Sequence, residues 1–339
     1  MTAMSAAQCE RLENRRLFAA SPHVLASDAV VADDINNDGN VDLAAPVRDG
    51  VGIRLGNGDG TFSAARRIAL PGTPIRVASG DLNADGVVDL VAGPNANGII
   101  AILIGLKAPT GPQPTALFDD PFFFDLGAEL KATTGIAIKG REATLLVGNF
   151  DGMGGDDFGV VTPHGVLIAL LLPQFKPIDT GEIFDSPAFA GHALASSPLG
   201  KGVRVATGDI DGDGRADLVG LDRQGAVHLA LGSGLGVWDD SDIVHLFPPR
   251  VRVDAVALGD VNGDGVDDIV ALAGGQVRAA TVNGNTLQII PLQVDLGPVP
   301  RVLQSGIVVA DVNNDSIGDL LALIRTQQGI LPYIEQGNI

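Results

Sequence analysis

The stretch DIDGDGRADL begins at Asp209 and crowds Asp209, Asp211, Asp213 and Asp217 into nine residues. Such crowding is costly at neutral pH, because like charges repel and burying an unpaired carboxylate is expensive. A divalent cation removes both costs. Calcium takes six to eight oxygen ligands, mixing carboxylates with amide and backbone carbonyl oxygens. Alternate residues 1, 3 and 5 of such a loop aim side chains into one concavity, and glycine at 6 permits the sharp turn. Residue 7 can offer its carbonyl oxygen whatever its side chain, and a carboxylate at 9 closes the cage.

The pattern recurs. It reads DINNDGNVDL from Asp34, DLNADGVVDL from Asp81, DIDGDGRADL from Asp209, DVNGDGVDDI from Asp260 and DVNNDSIGDL from Asp311, with a worn copy, NFDGMGGDDF, from Asn149. The starts lie 47, 68, 60, 51 and 51 residues apart, so the chain is a repeat of roughly 50 residues. The candidate ligands are Asp34, Asn36, Asp38, Asn40 and Asp42 in loop 1, and Asp81, Asn83, Asp85, Val87 and Asp89 in loop 2. Loop 4 offers Asp209, Asp211, Asp213, Arg215 and Asp217, and loop 5 offers Asp260, Asn262, Asp264, Val266 and Asp268. Loop 6 offers Asp311, Asn313, Asp315, Ile317 and Asp319. Asn40, Val87, Arg215, Val266 and Ile317 enter as carbonyl donors. In loop 3, Asn149 replaces the first Asp and Met153 holds the fifth position; Asp151 and Asp157 remain, which predicts a vacant or weak site. The expectation is five Ca²⁺ sites and a weak sixth.

Two other readings compete. The helix-flanked calcium loop shares Asp-x-Asn-x-Asp-Gly but needs a carboxylate at position 12. Here position 12 is Ala45, Ala92, Val160, Gly220, Ala271 or Ala322, so that reading fails. Solvated hairpin turns also favour Asp and Gly, yet they do not require Asp at position 9 in every copy.

The loops need strands to hold them. A short β-branched run precedes each (IRVASG, VRVATG, VAVALG), an apolar run follows (DLVAGP, DLVGLD), and a turn then leads to an alternating run such as AVHLALG. These read as strands of an antiparallel meander in which the acidic loop joins the first two. A fourth strand follows from aligning Leu55–Gly72 with Leu231–Pro249, which sets Phe62 against Trp238 and makes Trp238 a packing aromatic. Four strands per unit predict an all-β fold, a six-bladed β-propeller of four-stranded antiparallel blades. The blades are placed at about 28–71, 72–135, 136–199, 200–249, 250–299 and 300–339. The last lacks an outer strand, and FAASPHVL near the N-terminus resembles FSAARRIAL, so residues 15–27 are expected to complete it and hide two sheet edges. Residues 1–14 are expected to form a flexible tail or leader-like segment ahead of a single propeller, 15–339.

The motif, its Leu or Ile at position 10, and the DLVAGP strand together resemble FG-GAP/VCBS repeats, the calcium-loop blades of integrin-α-type propellers. The likeness covers about residues 28–335. It implies calcium in the loops and a binding or adhesion role at a cell surface; integrin-type rings have seven blades, so seven is the alternative count.

Composition narrows the function. Asp plus Glu number 41 against 22 Lys plus Arg, a formal charge of −19, which argues against nucleic acid or an anionic membrane as partner. Cys9 is the one cysteine, so neither a disulfide framework nor a zinc cluster is expected. No run of 18 apolar residues predicts a membrane helix, and no apolar signal core is present, although Glu13, Arg15, Leu17 and Phe18 resemble a short leader of planctomycete surface proteins. Cytosolic calcium would leave loops of this kind mostly empty, so an extracellular or cell-surface location, on a bacterium, is expected. His23, His164, His192, His228 and His245 are scattered, and no Gly-x-Ser-x-Gly or P-loop occurs, so no enzyme is expected. A polar cluster in the central channel would escape motif reading. The expected function is a calcium-stabilised binding, adhesion or structural module for a protein or glycan, with self-association as a variant. A carbohydrate-binding propeller is the alternative, opposed by the scarcity of Trp and Tyr, and an extracellular lyase is a third class. Two long connections, 105–135 and 172–202, hold Phe118, Phe122, Phe123, Phe124, Phe175, Phe184 and Phe189. They read either as irregular outer strands packed together or as an exposed partner patch.

Overall fold

The computed structural model describes residues 30–74, 76–106, 117–126, 128, 144–152, 155–162, 165–169, 192–193, 204–222, 224–234, 237–238, 242–248, 250–283, 286–295, 302–311, 317–326 and 329–335. Within them lie five four-stranded antiparallel sheets, one three-stranded sheet and a two-stranded ribbon. Sheet 1 runs Val31–Asp33, Asp42–Val47, Gly50–Arg54, Arg66–Ala69, and sheet 2 runs Arg76–Gly80, Asp89–Gly93, Ile99–Leu103, Phe122–Asp125. Sheet 3 comprises Thr144–Gly148, Asp157–Thr162, Gly165–Ala169 and His192–Ala193; sheet 4 comprises Arg204–Gly208, Asp217–Leu221, Val227–Ala230 and Asp242–Val244. Sheet 5 holds Ala255–Gly259, Asp268–Ala273, Gln276–Asn283 and Thr286–Asp295, and sheet 6 holds Val302–Ala310, Asp319–Thr326 and Gly329–Glu335.

The strand arithmetic follows burial. The second strands Asp89–Gly93, Asp217–Leu221 and Asp268–Ala273 are buried at every residue, because each blade is covered on both faces by its neighbours. The outer strand Arg66–Ala69 is mostly exposed and correspondingly charged. Apolar clusters fill the seams between sheets. Ile100, Phe124, Leu126 and Phe158 join sheets 2 and 3; Leu43 meets Val30, Val308 and Ala310, joining sheet 6 to sheet 1. First strands of all six sheets wall one axial cavity of about 340 Å³. This is a β-propeller. The expected complement of six four-stranded blades is not reached among the described residues: sheet 6 has three strands, and the strand expected to complete it lies at 15–27, outside them.

The Phe-rich connection of sheet 2 is core. Phe118 and Phe124 are buried, and Phe122 and Phe123 pack against two seam clusters, which favours packing over an exposed patch for these four. Phe175, Phe184 and Phe189 lie outside the described residues, as do residues 1–27.

Candidate metal centres

Each acidic loop joins the first and second strands of its sheet, as the sequence implies, and loops 1, 2, 4 and 5 share one hydrogen-bond plan. The position-1 carboxylate accepts N–H groups from positions 5 and 6: Asp38 and Gly39 donate to Asp34 at 2.9 and 2.8 Å, Asp85 and Gly86 to Asp81 at 3.0 and 2.8 Å. Asp213 and Gly214 donate to Asp209 at 3.1 and 2.9 Å, and Asp264 and Gly265 to Asp260 at 3.2 and 2.8 Å. The position-3 oxygen of Asn36, Asn83, Asp211 or Asn262 accepts the position-5 N–H, and the position-5 carboxylate accepts the N–H of Asn40, Val87, Arg215 or Val266. These bonds curl the loop so that side-chain oxygens face inward.

Two backbone positions make the curl possible. Gly39, Gly86, Gly214 and Gly265 at position 6 have φ of 80 to 86°, as expected for glycine. Position 4 is left-handed as well, at Asn37, Ala84, Gly212 and Gly263. Sequence reading missed it, since Asn, Ala and Gly share no obvious pattern there.

Position 9 has a structural tie beside the ligand role expected of it. Asp42, Asp89, Asp157, Asp217, Asp268 and Asp319 are all 0% exposed. In three loops both oxygens are tied to backbone. Asn36 and Gly56 donate to Asp42 at 3.1 and 2.7 Å, Leu82 and Gly105 to Asp89 at 2.9 and 2.7 Å, Ile210 and Gly232 to Asp217 at 2.8 and 2.6 Å. This residue therefore pins the loop to the corner beyond the third strand; any cation would be an added partner through remaining lone pairs. At that corner Gly56 bridges Phe62 and Gly232 pairs with Trp238, so the aligned aromatics do coincide. Trp238 is 9% exposed, donates its indole N–H to the Ala216 carbonyl at 3.2 Å, and meets Phe150 edge-on at 5.5 Å.

The fit to an ion can be tested on distance. Two oxygens bound to one calcium at about 2.4 Å stand no further apart than about 4.8 Å. Asp209, Asp211 and Asp217 each place a carboxylate oxygen within 4.8 Å of the others, and they are the one such acidic group among the described residues. Loops 1, 2 and 5 carry Asn at position 3, so fewer carboxylates could enter such a set. Asp213 is not in it; its carboxylate accepts the Arg215 guanidinium at 2.7 Å. The donor set is oxygen throughout, which suits calcium. In loop 3, Gly152 donates to Asn149 at 2.8 Å and Phe150 and Asp151 donate to Asp157, while Arg215 from loop 4 lies against Gly152. Loop 3 is thus bonded through protein groups, as the other loops are. Asp311, Ile317 and Asp319 of loop 6 are described, whereas Asn313, Asp315 and Met153 are not.

Burial pushes the Asp42 and Asp89 carboxyls up to about 7, and Asp217 and Asp268 up to about 6, outweighing their N–H bonds. A carboxyl whose folded pKa exceeds its ordinary 3.8 keeps its proton longer folded than unfolded, so stability falls as pH rises between the two values. Ion-free protein should therefore melt several degrees higher at pH 5 than at pH 8 in EDTA, a trend that scanning fluorimetry reads directly.

The axial cavity is walled by first-strand residues such as Val77, Val147, Ala206 and Ala257; its side-chain hydroxyls are Ser79 and Thr207, the latter donating to the Val147 carbonyl at 2.8 Å. His228 pairs with Asp222 at 3.2 Å on sheet 4 and His245 is exposed, away from that cavity's lining. No helix among the described residues is long and apolar enough to cross a membrane.

Comparison with known proteins agrees with this architecture. A family model described as FG-GAP-like repeat matches residues 34–92 and 209–271, the spans that hold loops 1 and 2 and loops 4 and 5. No curated protein matches the chain. Among solved structures, the BP39L lectin from Burkholderia pseudomallei superposes with a TM-score of 0.56 at 16% identity, over 93% of this chain and 82% of the lectin. An Agrocybe aegerita protein that recognises non-reducing terminal N-acetylglucosamine gives 0.52 at 18% identity, over 92% and 81%. A triple-arginine mutant of AofleA from Arthrobotrys oligospora gives 0.52 at 12%, over 94% and 85%. Identities this low speak to fold alone. Matched repeats and seam-packed antiparallel sheets lead to one conclusion: the chain is a β-propeller that carries FG-GAP-like repeats at residues 34–92 and 209–271.

Proposed function

We propose that this protein is a calcium-binding, calcium-stabilised propeller that acts outside the cytoplasm as a binding or adhesion module for a protein or glycan at a cell surface. The observation that carries the reading is the loop-4 oxygen set, with Asp209, Asp211 and Asp217 close enough to share one ion. The same hydrogen-bond plan in loops 1, 2 and 5 extends it to those loops, and the motif extends it to loop 6. Calcium would supply the positive charge that lets each carboxylate group persist between two strands. The ring is proposed to have six blades, the last completed by residues 15–27.

A glycan ligand is the second reading, favoured by the two lectins of similar fold. Trp238 cannot serve as a sugar-stacking platform while it is buried and bonded to Ala216, so recognition would rest on polar groups. A glycan array and a pulldown from cell-envelope fractions, each in calcium and in EDTA, test the proposal. Capture that is lost on chelation supports it; capture indifferent to calcium, or none from either source, overturns it. Light scattering in the two conditions reports self-association.

Loop 4 carries an internal competitor. Arg215 holds a ligand carboxylate where loops 2 and 5 have Val87 and Val266. Half-exposed pairs of this kind are worth about 1 kcal/mol or less. Arg215→Val should accordingly raise calcium affinity at loop 4 about threefold, read by calorimetric titration.

A further inference from the structure

Neighbouring loops touch across the blade seams. The position-8 N–H of one loop donates to the position-1 carbonyl of the loop before it: Asp156 to Asp81 at 2.8 Å, Ala216 to Asn149 at 2.9 Å, Asp267 to Asp209 at 3.0 Å and Gly318 to Asp260 at 2.7 Å. At two of these seams position 8 also has a carboxylate. Asp156 accepts the Asp81 N–H at 2.8 Å, and Asp267 accepts the Asp209 N–H. Each grips both backbone groups of the residue that heads the preceding loop. Space is kept for this: Gly80 and Gly208 stand just before Asp81 and Asp209, and a Cβ on either would strike the incoming carboxylate. The other two seams have Ala216 and Gly318 at position 8 and make the backbone bond without the carboxylate.

We propose that Asp156 and Asp267 are positioning residues for the metal sites of loops 2 and 4, each supplied by the next blade. Fixing the backbone of Asp81 or Asp209 sets the direction of the first ligand, and the added negative charge behind it favours a cation. Neither residue touches the ion. Groups that orient a metal ligand in this way are worth about 10- to 100-fold in metal affinity. The proposal rests on the calcium reading, and it makes occupancy of loop 2 depend on a residue of loop 3, whose own ligand set is incomplete.

Asp156 gives the cleaner test. Calcium is titrated into ¹⁵N-labelled protein while the amide signals of Gly86, Gly214 and Gly265 report loops 2, 4 and 5. Asp156→Ala should weaken loop 2 at least tenfold and leave loops 4 and 5 unchanged. Asp156→Asn, which keeps an acceptor and loses the charge, should give a smaller loss at the same loop and covers the case in which the alanine variant does not fold. Asp267→Asn should weaken loop 4. Wild-type binding with an unaltered loop 2 in the Asp156 variants overturns this proposal alone. Wild-type protein whose amides do not respond to millimolar calcium overturns the calcium reading with it.

Discussion

Chelation with EDTA is expected to lower the melting temperature by roughly 4–14 °C relative to protein in 1 mM calcium. Extracellular calcium modules bind with dissociation constants of about 10⁻⁴ to 10⁻³ M, so each occupied loop contributes about 0.4–1.4 kcal/mol through linkage at that concentration. Five loops together reach about 2–7 kcal/mol, and a chain of this size shifts by about 2 °C per kcal/mol. The effect should saturate with calcium and be far weaker with magnesium, which demands tighter octahedral geometry and gives up its water reluctantly. Differential scanning calorimetry in the three conditions checks it. A melt that ignores EDTA would remove calcium from the account.

The second large effect belongs to a residue that works with or without the ion. Asp89→Ala should destabilise the fold by about 4 kcal/mol, because the N–H groups of Leu82 and Gly105 would be left buried without acceptors at about 1–3 kcal/mol each. Asp89→Asn keeps one acceptor oxygen and turns an NH₂ toward the other donor, so about half that loss is expected. The control is Asp85→Ala in the same loop, whose carboxylate is exposed and bonded within the loop. It should change stability little in EDTA and lose part of the calcium-dependent gain. Urea denaturation with and without calcium separates the variants: a position-9 loss that persists in EDTA identifies a structural tie, whereas a loss confined to calcium would reduce Asp89 to a plain ligand.

What could be read from the chain was whatever the repeat carries. The acidic loops between first and second strands, the four-strand unit and the matching of Phe62 with Trp238 all follow from aligning one copy on another, because every blade solves the same burial problem. What escaped lies in differences between copies or in contacts across seams. The left-handed position 4 is hidden by its mixture of Asn37, Ala84 and Gly212. Asp at position 9 reads as the lid of a cage, and periodicity could not reveal that it also accepts corner N–H groups such as that of Gly105. Asp156 and Asp81 are 75 residues apart, and Arg215 reaches back onto Gly152 of the preceding loop. Such pairings depend on which blades are neighbours. The Phe122–Phe124 run was ambiguous for a related reason: an apolar stretch reads alike whether it fills a seam or faces a partner, and the seams on either side of sheet 2 decide it.

The most direct test counts ions. Native mass spectrometry of the folded chain, exchanged from EDTA into millimolar calcium, should show a ladder of bound Ca²⁺ that ends at about five, and the ladder should lose one step in a variant with Asp209 and Asp211 both changed to Ala. A folded chain that gains no calcium mass, or a ladder untouched by removing those two carboxylates, would contradict the claim that the acidic loops are oxygen cages for a divalent cation.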